Sequence, residues 1–240
     1  ELEIIFGYNQ YKNPIDKKIF LKLLNKFKVD YILKYENISL DIRCRYDDTT
    51  STTRCTISDL QSIMKYCNSN SLENIEEENL VFIKKNNFRS SDIKSNIIQN
   101  RDYNYRLTLK TELDLQYNNK EILHYNNIQN ISDKHFRYKK RYSFETSDKL
   151  FRIDLSVVKS TLNINDKIQW AKTFKDANIL NNPEQYELEI EYIGSSEKNK
   201  EGIYLINDFY NKLERGIENP IQLSGSIFNP LNVVISDMPE

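Results

Sequence analysis

The sequence predicts a mainly β protein of the α+β class, in which an antiparallel sheet with one polar face is flanked by a few helices. Most apolar segments are short and alternate with polar residues, as in "QYELEIEY", which is the period of a strand with one covered face. Only a few segments space their apolar residues as a helix does. Glycine and proline number five each in 240 residues, which argues against linker-like or collagen-like sequence.

The first half of the chain alternates predicted strands with two helices. "ELEIIFGY" is predicted as a strand, and "NPIDKKIFLKLLNKF" as an amphipathic helix whose N-cap is Asn13 or Asp16. "DYILKYENISLDIRCRYDD" indicates two strands joined by a turn near Glu36 and Asn37. "TTRCTIS" is predicted as a further strand, and "SDLQSIMKYC" as a helix capped by Ser58.

The second half is predicted to be richer in strands. "NLVFIKKNNF" and "DYNYRLTLKTELDL" are predicted strands, with "SSDIKSNIIQN" as a loop between them. "KHFRYKKRYSFET" and "LFRIDLSVVKST" indicate a hairpin that turns at "TSDK". For "INDKIQWAKTFKDANIL" a strand extension and a short helix both stay open. "EGIYLINDFYNKLERGI" has helical spacing, and residues 220–240 show no period.

The polar faces of the predicted strands are sorted by charge. Water contact explains a single polar face, but such faces usually mix signs and residue types, so uniform strands indicate a bound counter-ion. The purely acidic strands carry Glu1 and Glu3, and Glu187, Glu189 and Glu191. The basic strand carries Arg137, Lys139 and Arg141, and two mixed strands carry Arg106, Thr108, Lys110 and Glu112, and Arg152, Asp154 and Ser156.

A sheet that closes on itself would point these side chains inward. Unpaired charges are too costly to bury, so the interior would be a wet tunnel in which opposite charges face each other. Clustered carboxylates suit Mg²⁺ or Mn²⁺, and rows of Arg and Lys suit phosphoryl oxygens. The pattern therefore indicates a metal-assisted reaction on a polyphosphate.

Four stretches in this order, "ELEIIF", "RYKKRYS", "FRIDLS" and "ELEIE", resemble the tunnel-type metal-dependent RNA 5′-triphosphatases, the fungal and DNA-virus branch of the triphosphate tunnel metalloenzymes. The resemblance covers nearly the whole chain. It implies an eight-stranded antiparallel closed β-barrel tunnel with a polar interior. It also implies the first step of mRNA capping, which is hydrolysis of the γ-phosphate of triphosphate-ended RNA to a diphosphate end, with nucleoside triphosphates as side substrates. Ile5 replaces the lysine of the ExExK strand typical of the small-substrate branch, which favours the RNA branch.

The resemblance also implies the roles of individual residues. The Mg²⁺ or Mn²⁺ ligands would be Glu1, Glu3, Glu189 and Glu191. The phosphate-binding residues would be Arg54, Lys84, Arg137, Lys139, Arg141 and Arg152. The catalytic residues would be Glu112, Glu187, Glu189, Arg54 and Lys139, and Asp154 and Arg106 would support them.

Some of these assignments have alternatives. Arg45 is the alternative to Arg54, and Lys85 is the alternative to Lys84, which is preferred because Val81 and Ile83 are assigned to the covered face. Glu112 either positions water or forms a salt bridge in the tunnel wall with Arg106 or Lys110. Two other activities stay open: a tunnel phosphatase for inorganic triphosphate or free nucleotides, and a barrel that binds a polyanion without cleaving it. A purely structural β-domain is the third rival.

The expected organisation is a triphosphatase domain at 1–219, followed by a tail or linker at 220–240 toward guanylyltransferase and methyltransferase domains of the same polypeptide. The start at Glu1 suggests a trimmed piece of a longer protein. The expected location is the host cytoplasm or a viral factory, with the virion as an alternative, and no membrane is expected.

Several isolated residues are assigned to packing or loops. Cys44 and Cys55 are predicted to pack against helices, and His124 and His135 to lie in or near loops. Trp170 is predicted as core or cover, although an aromatic residue at a tunnel mouth could stack on the first nucleotide of an RNA.

Overall fold

The computed structural model of the protein describes residues 2–6, 15–46, 49–87, 97–100, 105–116, 119–147, 149, 151–165 and 167–193. The helices are α1 (Lys17–Asp30), α2 (Leu60–Ser69), α3 (Lys120–Gln129) and α4 (Phe174–Ala177). The strands are β1 (Leu2–Phe6), β2 (Ile32–Tyr46), β3 (Thr49–Ser58), β4 (Leu80–Asn87), β5 (Ile97–Asn100), β6 (Tyr105–Asp114), β7 (Asp133–Glu145), β8 (Phe151–Ser160), β9 (Asn163–Ile164), β10 (Lys167–Ile168) and β11 (Gln185–Tyr192).

The main sheet is antiparallel and runs in the order β1-β11-β8-β7-β2-β3-β4-β6-β5, and β1 pairs with β6 as well as with β11. The predicted mainly β class with a curled antiparallel sheet is therefore confirmed. The two ladders of β1 are short beside the 15-residue β2. They do not show closure along the full length of the strands, and the closed barrel stays a prediction.

Two apolar clusters cover the face of the sheet that packs against the helices, one beneath α1 and the other beneath α2 and α3. Helix α1 begins after Asp16, whose side chain accepts a hydrogen bond from the Lys18 amide at 2.6 Å, and its apolar stripe packs against β1, β8 and β11. Helices α2 and α3 pack against β2, β3 and β4 in the second cluster, which also holds Cys44 and Cys55 as predicted. Because strand side chains alternate between faces, the polar residues between these core positions share the opposite face.

Strand β2 is continuous, so the predicted turn near Glu36 and Asn37 is wrong. Its ladder with β7 runs from Ile32 to Arg45 and contains one irregularity, between Leu33 and Tyr35. Glu36 faces Tyr142 in this ladder and its carboxylate lies 2.7 Å from Lys140 Nζ. Pairing with a neighbour of similar length therefore outweighs the turn preference of an Asn at this point.

Other local predictions need correction. Asp59, not Ser58, caps α2, because its carboxylate accepts a hydrogen bond from the Ser62 amide at 3.0 Å. Helix α3 was not predicted, and it contains His124, while His135 lies within β7, so neither histidine is in a loop. Strand β5 lies in a stretch predicted as a loop.

The predicted hairpin of "KHFRYKKRYSFET" and "LFRIDLSVVKST" is confirmed as β7 and β8. The ambiguous stretch after β8 forms the small β9–β10 hairpin and then α4. The predicted helix "EGIYLINDFYNKLERGI" and the tail at 220–240 lie outside the described residues. In the part of the chain described, every helix is too short or too polar to cross a bilayer.

Candidate active site

The two acidic strands lie side by side. In the β1–β11 ladder Glu3 is the direct partner of Glu191, and Ile5 is the partner of Glu189. Directly opposed residues in such a ladder hold their Cβ atoms about 5 Å apart. Glu3 is 6% exposed. The prediction that glutamates from the two ends of the chain meet on one face is confirmed for Glu3, while Glu1 lies outside the described residues.

The basic strand faces these carboxylates across the polar side. An Arg137 Nη atom donates to both carboxylate oxygens of Glu187, at 2.6 and 2.7 Å. Arg141 lies 3.3 Å from Asp154 and 3.7 Å from Glu189. The row predicted on β7 therefore lies on the polar face together with the glutamates of β11, and a carboxylate engages each of its arginines.

Asp154 on β8 connects two arginines. Its carboxylate accepts a hydrogen bond from Ser143 Oγ at 2.5 Å and one from Arg152 Nε at 3.1 Å, in addition to the Arg141 contact. Arg152 also forms an ion pair with Glu191. Asp154 is 3% exposed, so it fixes both guanidinium groups within the protein, as its predicted supporting role requires.

Asp41 on β2 belongs to the site although the sequence did not single it out. It is 3% exposed, lies 2.6 Å from Lys139 Nζ and 3.7 Å from Arg54 Nη1, and accepts a hydrogen bond from Thr56 Oγ1 at 2.8 Å. One aspartate between Leu40 and Ile42 fits the apolar–polar alternation of any half-exposed strand, so the sequence gives no reason to assign it a role. Asp41 holds Lys139 and Arg54 beside each other and offsets their repulsion.

Of the two candidate arginines, Arg54 lies in the cluster. Its Nε is buried and has no hydrogen-bond partner in the described part of the chain. Arg45 instead lies at the end of β2, 3.6 Å from Asp133 and with its guanidinium 5.1 Å from the ring centre of Trp170. The preference for Arg54 as the inward residue agrees with the structure.

The preference for Lys84 is wrong in orientation. Phe82, on the same side of β4 as Lys84, packs edge-on against Tyr125 of α3, and Lys84 Nζ lies 2.7 Å from Glu121 of the same helix. Lys85 points to the polar side, where it pairs with Glu112. Leu80 and Phe82 are the covered residues of β4, and not Val81 and Ile83 as predicted.

Glu112 therefore forms an ion pair with Lys85, which was not among the two predicted wall partners. Lys110 forms an ion pair with Glu3, which also accepts a hydrogen bond from Thr108 Oγ1 at 2.9 Å. Arg106 lies opposite Ile5 in the β1–β6 ladder, but its side chain lies outside the described part of the structure, so its supporting role stays a prediction.

The pKa values of the carboxylates in the site are shifted in different directions. Burial raises the pKa of Glu189, and repulsion from Glu187 adds to this increase. Burial also raises the pKa of Glu191, despite the opposing charge of Arg152. For Glu3, burial alone would raise the pKa, but the hydrogen bond and charge of Lys110 outweigh it, and the pKa is lowered. Two neighbouring glutamates therefore hold protons more readily than an exposed glutamate.

Burial and neighbouring charges also shift the pKa values of the cations. Burial lowers the pKa of Lys139 to about 8, and repulsion from Arg141, Arg137 and Arg54 acts in the same direction against the attraction of Asp41. The pKa of Arg137 is raised, chiefly by the charge of Glu187. Lys139 is thus the one member of the row on β7 with a pKa lowered to near neutral pH.

The donor chemistry fits a hard divalent cation in part. Glu3, Glu189 and Glu191 offer carboxylate oxygens on two neighbouring strands, and oxygen ligands are what Mg²⁺ and Mn²⁺ prefer. In the described residues, however, no three acidic, histidine or cysteine side chains are close enough together to form a metal site as they stand. Each of these glutamates has a cationic neighbour, which a metal ion would have to displace.

The fold and the site together define a class: a curled antiparallel sheet whose helix-free face holds facing rows of glutamates and basic residues. Similar folds occur in solved structures of the triphosphatase domain of the mimivirus mRNA capping enzyme. One, from a trifunctional mimivirus capping enzyme, is 20% identical with a TM-score of 0.55, over 88% of this chain and 86% of that chain. A monoclinic crystal form is 21% identical with a TM-score of 0.55, over 88% of each chain.

A triclinic crystal form of the same mimivirus domain is 22% identical with a TM-score of 0.57, over 88% of this chain and 87% of that chain. At these identities the likeness establishes a shared fold. No protein-family model and no curated protein matches the sequence.

Proposed function

We propose that this protein is a divalent-metal-dependent RNA 5′-triphosphatase that removes the γ-phosphate from triphosphate-ended RNA in the first step of mRNA capping. The observation that carries the proposal is the pairing of Glu3 with Glu191 on the same face as the row of Arg137, Lys139 and Arg141. A site with both carboxylates and cations suits a metal–polyphosphate complex better than it suits either ion alone. The shared fold with the mimivirus triphosphatase domain supports this choice.

Glu3, Glu189 and Glu191, together with Glu1, would hold the metal ion. When bound, Mg²⁺ or Mn²⁺ supplies Lewis-acid stabilisation of charge on phosphoryl oxygens. The fixed charges around the site keep the carboxylates in place, because Lys110 holds Glu3 and Arg152 holds Glu191. The closed tunnel belongs to the same proposal and is supported by the two ladders of β1.

The cations of the polar face would bind the triphosphate. Lys139 and Arg54 are held together by Asp41, and Arg141 and Arg152 by Asp154, so their nitrogens are in place before substrate arrives. Arg54 Nε is buried without a partner in the described residues, which leaves it a donor to offer to an anion. Lys85 replaces Lys84 in this set because it faces the polar side.

In the reaction, a water oxygen bonds to the γ-phosphorus while the bond from the γ-phosphorus to the β–γ bridging oxygen breaks. The diphosphate end leaves with the bond electrons, and the proton of the water passes to a carboxylate or to solvent. Guanidinium and ammonium groups neutralise the charge that spreads over the equatorial oxygens, which supplies most of the catalysis in phosphoryl transfer. Glu112 or Glu189 would orient the water.

The partners in this proposal are the 5′ end of nascent RNA, nucleoside triphosphates as side substrates, and downstream capping domains of the same polypeptide. An intracellular site of RNA synthesis, such as a viral factory, is the location that this role requires. The trifunctional character reported for the mimivirus capping enzyme supports the linkage to further capping domains.

The test is release of phosphate from triphosphate-ended RNA, ATP and inorganic triphosphate, each with manganese or with a chelator. We expect metal-dependent release from RNA and loss of at least ~100-fold in Glu189→Gln. The matched control is Glu184→Gln, which changes an exposed glutamate that contacts Lys17 and Tyr186 outside the site. Release from inorganic triphosphate alone would favour the small-substrate phosphatase, and binding without release would favour the polyanion-binding barrel.

A further inference from the structure

Trp170, the single tryptophan of the chain, lies on the polar side of the sheet next to the β7 end of the basic row. The backbone of Ala171 exchanges hydrogen bonds with Lys134, at 2.8 and 3.0 Å, and this bridge continues the pairing of β7 beyond the end of β8. Lys134 faces the covered side, so the neighbouring His135 and Trp170 face the polar side together. Their ring centres are 6.1 Å apart.

One cation lies against this indole, and further arginines lie on the neighbouring strands. The guanidinium of Arg45 lies 5.1 Å from the ring centre of Trp170. Arg43 is the cross-strand partner of His135 on one side and of Arg54 on the other, so two arginines and a histidine lie side by side across β3, β2 and β7. Burial lowers the pKa of His135 to about 4, so its imidazole is neutral at neutral pH. Asp133, the carboxylate beside Arg45, is also engaged by Lys172 at 3.0 Å. Arg43 itself is exposed.

This surface is continuous with the phosphate-binding row. His135 precedes Arg137 by two residues on the same face, which corresponds to about 7 Å along the strand. An anion bound by Arg137, Lys139 and Arg54 would therefore end within reach of Arg43 and Trp170. The group that follows a triphosphate in RNA is a nucleoside, and after it comes a phosphodiester.

We propose that Trp170, Arg45, Arg43 and His135 form a nucleoside site that binds the first nucleotide of the RNA. The base stacks on the indole of Trp170 on the face away from Arg45, and Arg43 contacts the adjoining phosphodiester. Every base presents a π face, so this site selects RNA and nucleotides over inorganic triphosphate without selecting a sequence. The inference rests on the proposed triphosphatase function.

The opposite end of the polar face is less suited to this ligand. Tyr35 is the exposed aromatic residue there, opposite Ser143 in the β2–β7 ladder. Its surroundings include Glu191 and Glu145, which are paired with Arg152 and Lys34. The positive charges at that end are thus each matched by a carboxylate, whereas Arg43 and Arg54 stand side by side next to Asp41, which Lys139 also engages.

The fluorescence of Trp170 can be measured directly, because it is the single tryptophan of the chain. We expect titration with a nucleoside triphosphate that carries an imido group between the β and γ phosphorus atoms to quench the tryptophan emission in a saturable way. Inorganic triphosphate should leave the emission unchanged. Quenching that is equal for the two ligands, or absent with both, would overturn the site.

The kinetic test uses Trp170→Ala in the full chain, with Trp170→Phe as the conservative variant and Tyr35→Ala as the aromatic control. We expect Trp170→Ala to raise KM for triphosphate-ended RNA by about tenfold, with kcat little changed. The KM for inorganic triphosphate should stay the same, and Trp170→Phe should recover most of the loss. Equal effects on both substrates, or a larger effect from Tyr35→Ala, would overturn the proposal.

The failure of the proposed function has a different signature. If the wild-type protein released no phosphate from any substrate, the triphosphatase proposal would fail, whereas the fluorescence titration would still decide whether a nucleoside stacks on Trp170. Melting temperatures of the three variants identify any loss that comes from unfolding.

Discussion

Glu3 and Glu191 are direct cross-strand partners, although one lies in the first strand of the sheet and the other in the last. Each is also held by a cation, Lys110 for Glu3 and Arg152 for Glu191. Two carboxylates at this separation repel each other unless cations lie between or beside them. Lys110 and Arg152 therefore offset this repulsion in the metal-free fold, and a cation bound between the two carboxylates would offset it further.

The first prediction concerns this pair. Glu3→Gln and Glu191→Gln should each lower kcat at saturating manganese by at least ~100-fold, because each would remove a charge from the proposed metal site. The double variant should lose little more than either single variant, since residues that act as a unit are not additive. Phosphate release measures this. Fully multiplicative losses would show that the two glutamates act independently.

The second prediction concerns Lys139, whose pKa is lowered to about 8 by burial and by neighbouring arginines. In the proposed function the ammonium form of Lys139 would bind phosphate, and this form is lost as pH rises through that pKa. We therefore expect kcat/KM for triphosphate-ended RNA to fall as pH rises past about 8. Lys139→Arg keeps its charge at high pH and should remove this fall, even if its overall rate is lower. An unchanged alkaline limb in Lys139→Arg would assign the fall to another group.

The third prediction is proton release on metal binding. Because burial raises the pKa values of Glu189 and Glu191, each carboxyl holds its proton to a higher pH than an exposed glutamate, and a bound metal ion would displace those protons. Isothermal titration with manganese in buffers of different ionisation enthalpy should show a buffer-dependent heat that shrinks as pH rises. Glu191→Gln should reduce it. The same heat in every buffer would contradict the assignment of these glutamates.

The fourth prediction separates two adjacent lysines on β4. Lys85→Ala should lower kcat/KM by about tenfold or more, because it removes a cation from the polar face and leaves Glu112 without that partner. Lys84→Ala should leave the kinetics nearly unchanged and cost at most about 1 kcal/mol of stability, since it breaks only a partly exposed pair with Glu121. The two variants are matched in chemistry and position. A larger kinetic loss in Lys84→Ala would reverse the assignment.

The sequence predicted the charged rows well because they alternate with apolar or aromatic residues, with Lys140 as the exception. In "YELEIEY" and "RYKKRYS" the alternation leaves one choice of face, and the ladders confirm it. It failed for β4, where Leu80, Val81, Phe82 and Ile83 are all apolar and are followed by two lysines, so no alternation distinguishes the faces. There, contacts with α3 decide the orientation.

Long-range packing decided the other differences. Helix α3 was missed because its buried face combines Ile122 and Tyr125 with the polar Gln129, which weakens the apolar stripe. Asp41 was missed because its importance comes from Lys139 and Arg54, which reach it from two neighbouring strands. Neither relationship is visible within a window of sequence.

The position of β1 between β11 and β6 has a consequence for the order of events during protein synthesis. The first strand emerges from the ribosome long before its partner at residues 185–192 exists. Until that late segment appears, one edge of β1 has no β11 to bind, and Glu3 has no Glu191 opposite it. Contacts that join distant parts of a chain form slowly. A nascent chain stopped before β11 would therefore lack Glu187, Glu189 and Glu191, so the proposed activity would be acquired only when β11 is in place.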